Sequence, residues 1–343
     1  MSELIEVLNE YSELGIAQQL DYAKFYLYSI ITHSTAIEGS TVTEIENQLM
    51  FDEGISSNKP IAEQLMNLDL KKAYERAFSL ADNNEDFSEE LLCELSGILM
   101  HNTGALYNTI AGTFDSSKGE LRLLNVSAGR GGKSYLAWQK VPDRLNKFCA
   151  WINEEREKLI ADDIERIYRL SFEAHYRLVC IHPWADGNGR MARLVMNMIQ
   201  REFGVVPAIV KKDRRAEYIK SLADSQSSDD AAVFIAFMMK HHEDNIKAQI
   251  IEYRESLKND TLNTENDTLN ETINLTDKER AVYTEIKRDT RIKIEELVNI
   301  TGFSRATVTR AIESLKTAGL IERVGSKKTG SWRINNDIGR LQQ

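Results

Sequence analysis

Apolar residues recur at three- and four-residue spacings through most of residues 1–255, which predicts a mainly α chain. Between 163 and 181, Ile164, Ile167, Leu170, Phe172, Leu178 and Ile181 fall on one stripe, as on a helix with a single buried face. The stretch MARLVMNMIQREF (191–203) is apolar on more than one side and predicts a helix inside a core. Similar periodicity marks 21–38, 63–81, 89–100, 143–156 and 230–257, and the chain has only four prolines to interrupt it. Overlapping capping-box patterns across Ser40–Glu46 predict a helix start there.

Two stretches depart from this pattern. Residues 113–140 mix strand-forming residues around a glycine turn (Gly129, Gly131, Gly132) and predict a β-hairpin. Residues 259–275 repeat the pentapeptide NDTLN; they are polar and weakly periodic, which predicts a linker over 256–275.

Beyond it the pattern tightens. Thr276 with Glu279 opens a first helix, IEELVNIT closed by Gly302 makes a second, and Ser304 caps a third with Val308, Ile312 and Leu315 facing inward and Gly319 at its end. Two short strands follow around a basic tip. The chain therefore divides into 1–255, the linker 256–275 and 276–343.

Charge sharpens this division. The net charge is −10, but 276–343 hold 14 Lys and Arg against 9 Asp and Glu, +5, leaving −15 for the rest. The two parts are expected to differ in partners. The N-terminus has no apolar signal core and no stretch approaches 18 apolar residues, so no membrane partner and a cytoplasmic location are expected. Cys93, Cys149 and Cys180 lack metal-site spacing and are expected as buried, reduced thiols. His175 and the adjacent His241 and His242 are read as structural, because neighbouring histidines on a helix face different ways.

The densest chemistry lies between the two helices predicted on either side of 182–190. His182 has an ordinary pKa near ~6.5 and is largely neutral at pH 7, as a general base requires. Gly187 and Gly189 let consecutive backbone N–H groups converge on an anion, and the positive end of the following helix favours a phosphate there. Asn188 can donate to a phosphate oxygen. Asp186 is a hard oxygen ligand suited to Mg²⁺. Arg190 and Arg193 sit three apart on the first helical turn and can face one polyphosphate.

In this order, H-P-W-A-D-G-N-G-R-M-A-R resembles the signature of the Fic family, H-x-F-x-D/E-G-N-G-R-x-x-R, with Trp184 in place of Phe. The resemblance implies a Fic helical core with a β-hairpin flap and an ATP-dependent protein adenylyltransferase, moving AMP to a Ser, Thr or Tyr hydroxyl of a target protein. His182 would deprotonate that hydroxyl, Asp186 would hold Mg²⁺ between the α- and β-phosphates, and Gly187, Asn188 and Gly189 would cradle the phosphates. Arg190 would bind on the β-phosphate side and Arg193 would reach the γ-phosphate. The hairpin in 113–140 would be the flap that aligns the target backbone by β-augmentation.

Ser34-Thr35-Ala36-Ile37-Glu38-Gly39 likewise resembles the family's inhibitory element, S/T-x-x-x-E-G/N. Glu38 would then pair with Arg193 and occupy the place of the γ-phosphate. Residues 276–335 resemble a winged helix-turn-helix domain, with Arg305, Thr307 and Arg310 on the outer side of the third helix and Lys327 and Lys328 at the tip. Such a surface suits duplex DNA; many winged helices bind proteins instead. Transfer of another group, removal of AMP, and nucleotide sensing by a transcriptional regulator are the alternatives to AMP transfer. A homodimer is compatible with the sequence but not specified by it.

Overall fold

A computed structural model describes residues 3–127, 134–271, 275–317, 320–324 and 331–334. They form two units, 1–253 and 254–343. The first contains α1 (Glu3–Glu13), α2 (Tyr22–Ile37), α3 (Glu44–Gln48), α4 (Ile61–Asp82), α5 (Glu89–Leu99), β1 (Leu106–Thr109), β2 (Gly112–Asp115), α6 (Val141–Glu157), α7 (Ile164–Ile181), α8 (Asn188–Glu202), α9 (Arg215–Ser228) and the start of α10 (Ala232–Glu271).

α8 is the spine of this unit. Its buried residues include Met191, Leu194, Val195, Met198 and Ile199, as expected for a helix that is apolar on several sides. It packs most extensively on α7 and α4 and also touches α2 and α5. The stripe read on α7 is indeed its inner face, with Ile167, Leu170, Phe172, Leu178 and Ile181 buried. α7 ends where it must: Pro183 cannot supply a helical N–H, and His182 before it turns left-handed at φ 53°. Thr43 and Glu46 form the capping box that opens α3.

Two expectations need correction. Strand structure begins at Leu106, before 113: β1 and β2 pair antiparallel with Thr109 opposite Gly112, and Tyr107 stacks on Phe114 at 4.8 Å between ring centres. Strands of four residues are too short to impose a readable period of two. The expected 113–140 hairpin appears instead as a bridge between Ser127 and Ser134, with Tyr135 N–H donating to Val126 O at 3.0 Å; its glycine turn lies outside the described residues.

The NDTLN repeat is helical and continues α10 as far as Glu271. It contains neither Gly nor Pro, and extending a helix whose first turns are already packed avoids the cost of nucleation. Among the cysteines only Cys149 is buried; Cys93 and Cys180 are half-buried. None of the three is in a disulfide. Burial pushes the Cys93 and Cys149 thiols up to about 12, so neither is a thiolate near neutrality.

The second unit contains α11 (Asp277–Arg288), α12 (Ile294–Thr301), α13 (Arg305–Thr317) and the antiparallel pair β3 (Ile321–Val324) and β4 (Ser331–Ile334). Thr276 and Glu279 form a capping box, and Gly302 closes α12 in the left-handed conformation. Val282, Ile286, Leu297, Val308, Ile312, Leu315 and Trp332 form its core. Gly319 lies outside the described residues. Among the described residues, no helix is long and apolar enough to cross a membrane.

Candidate active site

The loop between α7 and α8 is held from inside. Trp184 is fully buried and donates its indole N–H to Gly119 O at 3.0 Å, a bond that a Phe at this position could not make. Asn188 spends its side chain on the same residue: Trp184 N–H donates to Asn188 Oδ1 at 3.1 Å, and Asn188 Nδ2 donates to Trp184 O at 2.9 Å. The Asn188 carboxamide therefore staples the loop, with one Nδ2 proton left over beyond these two bonds. Gly187 caps α8 at φ 80°, where a Cβ would also meet Met100 Sδ at 2.8 Å.

His182 is half-buried. Its Nδ1 lies 3.3 Å from Val179 O, and a carbonyl can only accept, so the ring proton sits on Nδ1 and the Nε2 lone pair is free. Burial pushes the imidazole down to about 4; the Val179 hydrogen bond works against this, and Arg122 reinforces it. The ring stacks on Tyr135 at 3.8 Å and 15°. A neutral imidazole with a free Nε2 can take a proton near neutral pH.

The two arginines of α8 differ in how their charge is met. Arg190 is 3% exposed; its Nη2 contacts Met100 Sδ at 3.2 Å and lies 3.9 Å from Asp186, while Nε and Nη1 have no partner among the described residues. Burial lowers its pKa, and a buried guanidinium with unpaired donors is a site in want of an anion.

Arg193, equally buried, is fully engaged. Its Nε donates to Ser34 Oγ at 2.8 Å, Nη2 to Ser34 O at 2.9 Å and to Glu38 Oε1 at 2.7 Å, and Nη1 to Tyr218 Oη at 3.3 Å. Tyr218 in turn lies 2.9 Å from Nε2 of the buried His175. Burial works to raise the Glu38 carboxyl, but Arg193 outweighs it and holds the group below its ordinary value. Gly189 leaves room for this pair: a Cβ there would lie 2.6 Å from Glu38 Oε1.

The turn carrying Glu38 is fixed by polar groups. Gly39 leaves α2 at φ 106°, and Arg215 Nε donates to Ile37 O at 2.7 Å. Thr35 Oγ1 donates to Asn67 Oδ1 at 2.8 Å, Asn47 Nδ2 donates to Asn67 Oδ1 at 2.9 Å and to Thr32 Oγ1 at 2.7 Å, and Asn67 Nδ2 reaches Ser40 Oγ at 3.2 Å. Both asparagines are fully buried, so this network carries more weight than its surface counterpart would.

Asp186 is 68% exposed and accepts the Gly187 N–H at 2.6 Å. Among the described residues no group of three His, Cys, Asp or Glu could hold a metal unaided. One exposed carboxylate beside an anion cradle nevertheless fits Mg²⁺, which characteristically takes one or two carboxylates together with substrate phosphates.

The structure thus brings His182, Asp186, Gly187, Asn188, Gly189, Arg190, Arg193, Ser34, Glu38 and Gly39 into one neighbourhood. Sequence reading missed Arg122, Tyr135, Asn47, Asn67, Arg215 and Tyr218. Arg122 alone left a signal, as a lone charge within the apolar run ELRLL. In the second unit, Arg305 is exposed and pairs with Glu295 at 2.9 Å, and Arg310 is exposed. Thr307 is half-buried with its hydroxyl 2.9 Å from Ser304 Oγ, and Ser304 Oγ caps α13 by accepting the Thr307 N–H at 3.2 Å. Lys327 and Lys328 lie outside the described residues.

Comparison with known proteins agrees with this geometry. Residues 86–200 match the Fic/DOC family. The chain is 28% identical over 229 residues to the protein adenylyltransferase fic-1 of Caenorhabditis elegans, spanning 66% of this chain and 41% of that one. It is 28% identical over 224 residues to the protein adenylyltransferase Fic of Nematostella vectensis, spanning 64% and 48%. The match thus covers under half the length of these relatives.

Among solved structures, a Fic domain containing signaling protein from Bacteroides thetaiotaomicron aligns with a TM-score of 0.59 at 20% identity, over 73% of this chain and 96% of that one. C. elegans Fic-1 (residues 134–508) aligns with a TM-score of 0.59 at 24% identity, over 74% and 72%. A Fic family protein from Desulfovibrio desulfuricans aligns with a TM-score of 0.54 at 19% identity, over 100% and 98%. These likenesses establish the fold.

Proposed function

We propose that this chain, whose residues 86–200 form a Fic/DOC domain, transfers AMP from ATP to a Ser, Thr or Tyr hydroxyl of a target protein, with Glu38 holding the transfer in check. The observation that carries the reading is the pair of buried arginines on the first turns of α8, one with unpaired donors and one occupied by an internal carboxylate, behind a loop that presents a neutral imidazole. Two cations at that depth would cost several kcal/mol without anions to meet them. Polyphosphate supplies such anions, and nucleotidyl transfer depends mainly on positioning and charge stabilisation.

In this reaction the target hydroxyl oxygen bonds to the α-phosphorus as the bond to the β-phosphate's bridging oxygen breaks. His182 Nε2 takes the hydroxyl proton and pyrophosphate leaves. The amides at the start of α8 and Arg190 hold the departing phosphates. Mg²⁺ bound with the nucleotide and held by Asp186 would supply positive charge to the same oxygens. Glu38 occupies Arg193, the partner the γ-phosphate needs, so ATP binds in an unreactive pose until Glu38 leaves.

The test is incubation with ATP labelled in the α-phosphate, followed by intact-mass measurement of the chain and of added proteins. Covalent AMP that depends on His182 supports the reading; no adduct in any variant that lacks the Glu38 carboxylate refutes it.

For the second unit we propose a winged helix-turn-helix that reads duplex DNA through α13. Exposed Arg305 and Arg310 and the net charge of +5 over residues 276–343 support this. The full chain should then bind a duplex with a log–log salt slope of about −3 to −5. Absence of binding at ~50 mM salt favours a protein partner for this unit.

A further inference from the structure

Arg122 is a buried cation that the transfer chemistry described above leaves without a role. It is 1% exposed, and its described partners are all main-chain carbonyls: Nε donates to His182 O at 2.7 Å, Nη1 to Leu124 O at 2.6 Å and Nη2 to Leu136 O. Its own N–H donates to Pro183 O at 3.1 Å. Burying a guanidinium is costly, and a mere filler of this space would be apolar. What distinguishes Arg here is a planar fork that donates in several directions at once.

Those directions meet three segments. One is the start of the catalytic loop at His182–Pro183, the second is 122–124, and the third is the stretch carrying Tyr135 and Leu136. His182 has a positive φ, a conformation that a residue with a Cβ adopts only when its surroundings enforce it. The bond from Arg122 Nε fixes the direction of the His182 carbonyl. The bond to Leu136 anchors the residue next to Tyr135, whose ring lies flat on the imidazole.

We infer that Arg122 is a positioning residue for the transfer: its guanidinium locks the left-handed backbone of His182 and clamps the Tyr135–Leu136 stretch against the imidazole, so that Nε2 is held ready without Arg122 touching nucleotide. This rests on the reading of His182 as the base. It differs from a simple loop clip in one respect. Arg122 is also a charge beside the imidazole and contributes to its depressed pKa.

The experiment uses the full chain carrying Glu38→Gly, with Arg122→Lys and Arg122→Gln added separately. Lys keeps the charge and loses the fork; Gln loses the charge. With both folded, kcat should fall about 10- to 100-fold in each while KM for ATP changes less than about threefold, as for loss of orientation at a reacting centre. The acid limb of the kcat/KM profile should stay in place in Arg122→Lys and move to higher pH in Arg122→Gln.

An independent readout is NMR titration of ¹⁵N-histidine, with the His182 signal identified by its absence in His182→Ala. The His182 midpoint should rise in Arg122→Gln. If kcat is retained in the folded variants, or the His182 midpoint does not move in Arg122→Gln, the inference is overturned. If neither variant folds, Arg122 is a folding residue and the inference is likewise overturned. If the Glu38→Gly parent transfers no AMP, it is the transferase reading that fails, and the titration alone decides on Arg122.

Discussion

Glu38 Oε1 sits 2.7 Å from Arg193 Nη2, joining the end of α2 to the first turns of α8 across 155 positions of sequence. Ser34, one helical turn earlier, holds the same guanidinium through both its hydroxyl and its carbonyl. The S-x-x-x-E-G element is therefore a three-point grip on one arginine, with Gly39 providing the turn that brings it there.

Removing the base should separate binding from chemistry. His182→Ala is expected to bind ATP as wild type does by calorimetry, while transfer falls by roughly 10²–10⁴-fold. Comparable transfer by the variant would show that another group takes the hydroxyl proton.

The polar network under the turn that carries Glu38 should control how firmly this carboxylate is held. Asn67→Ala leaves Thr35 and Asn47 without their shared acceptor. A loss of about 1–3 kcal/mol in folding stability is expected. Transfer should rise above wild type but stay below Glu38→Gly, because the carboxylate is loosened and not removed. Denaturant melts and initial rates measured on the same preparations check both parts. A variant that is less stable yet no more active would mean that the turn is held without this network.

Acidification should destabilise the first unit before its carboxylates titrate. Burial pushes His182 and His241 down to about 4 and His242 to about 3, and places His175 well below its ordinary value. A depressed imidazole pKa means that the unfolded chain binds the proton first. Stability is then fully present above pH ~6.5 and is lost progressively as pH falls toward 4. Urea midpoints should be lower at pH 5 than at pH 7. Equal midpoints would place these imidazoles in a more solvated setting.

Much of the site was legible in the chain because its chemistry is contiguous. His182 to Arg193 lie in one turn-and-helix segment, and the apolar stripes on both sides placed that segment between buried helices. Glu38 was legible for the same reason, as part of a short local pattern. Tyr135, Asn47 and Asn67 were not, because each acts across a tertiary contact that leaves no periodic trace, and Arg122 left only a lone charge among apolar neighbours. The part Asn188 plays in holding the loop was also not legible, because its carboxamide bonds to the Trp184 backbone depend on the folded turn. The helical state of the Asn- and Thr-rich repeat was not legible, because a polar, weakly periodic stretch carries no buried stripe and its helix extends one already packed upstream.

The central proposal is that Glu38 restrains AMP transfer. A guanidinium–carboxylate bond of this kind is worth about 1.5–3 kcal/mol, and under the proposed function the γ-phosphate must displace it before ATP adopts the reactive pose. Removing the carboxylate should therefore raise the productive fraction about 10- to 100-fold. Arg193→Ala should not reproduce the effect, because it also removes the partner of the γ-phosphate. The decisive measurement is the initial rate of AMP incorporation from labelled ATP, self-modification included, for wild type and Glu38→Gly at equal protein concentration over a range of ATP concentrations. The account predicts a rate higher by that factor in Glu38→Gly and lost again when His182→Ala is added. Equal rates at every ATP concentration would contradict it and leave Glu38 an ordinary residue at the end of a helix.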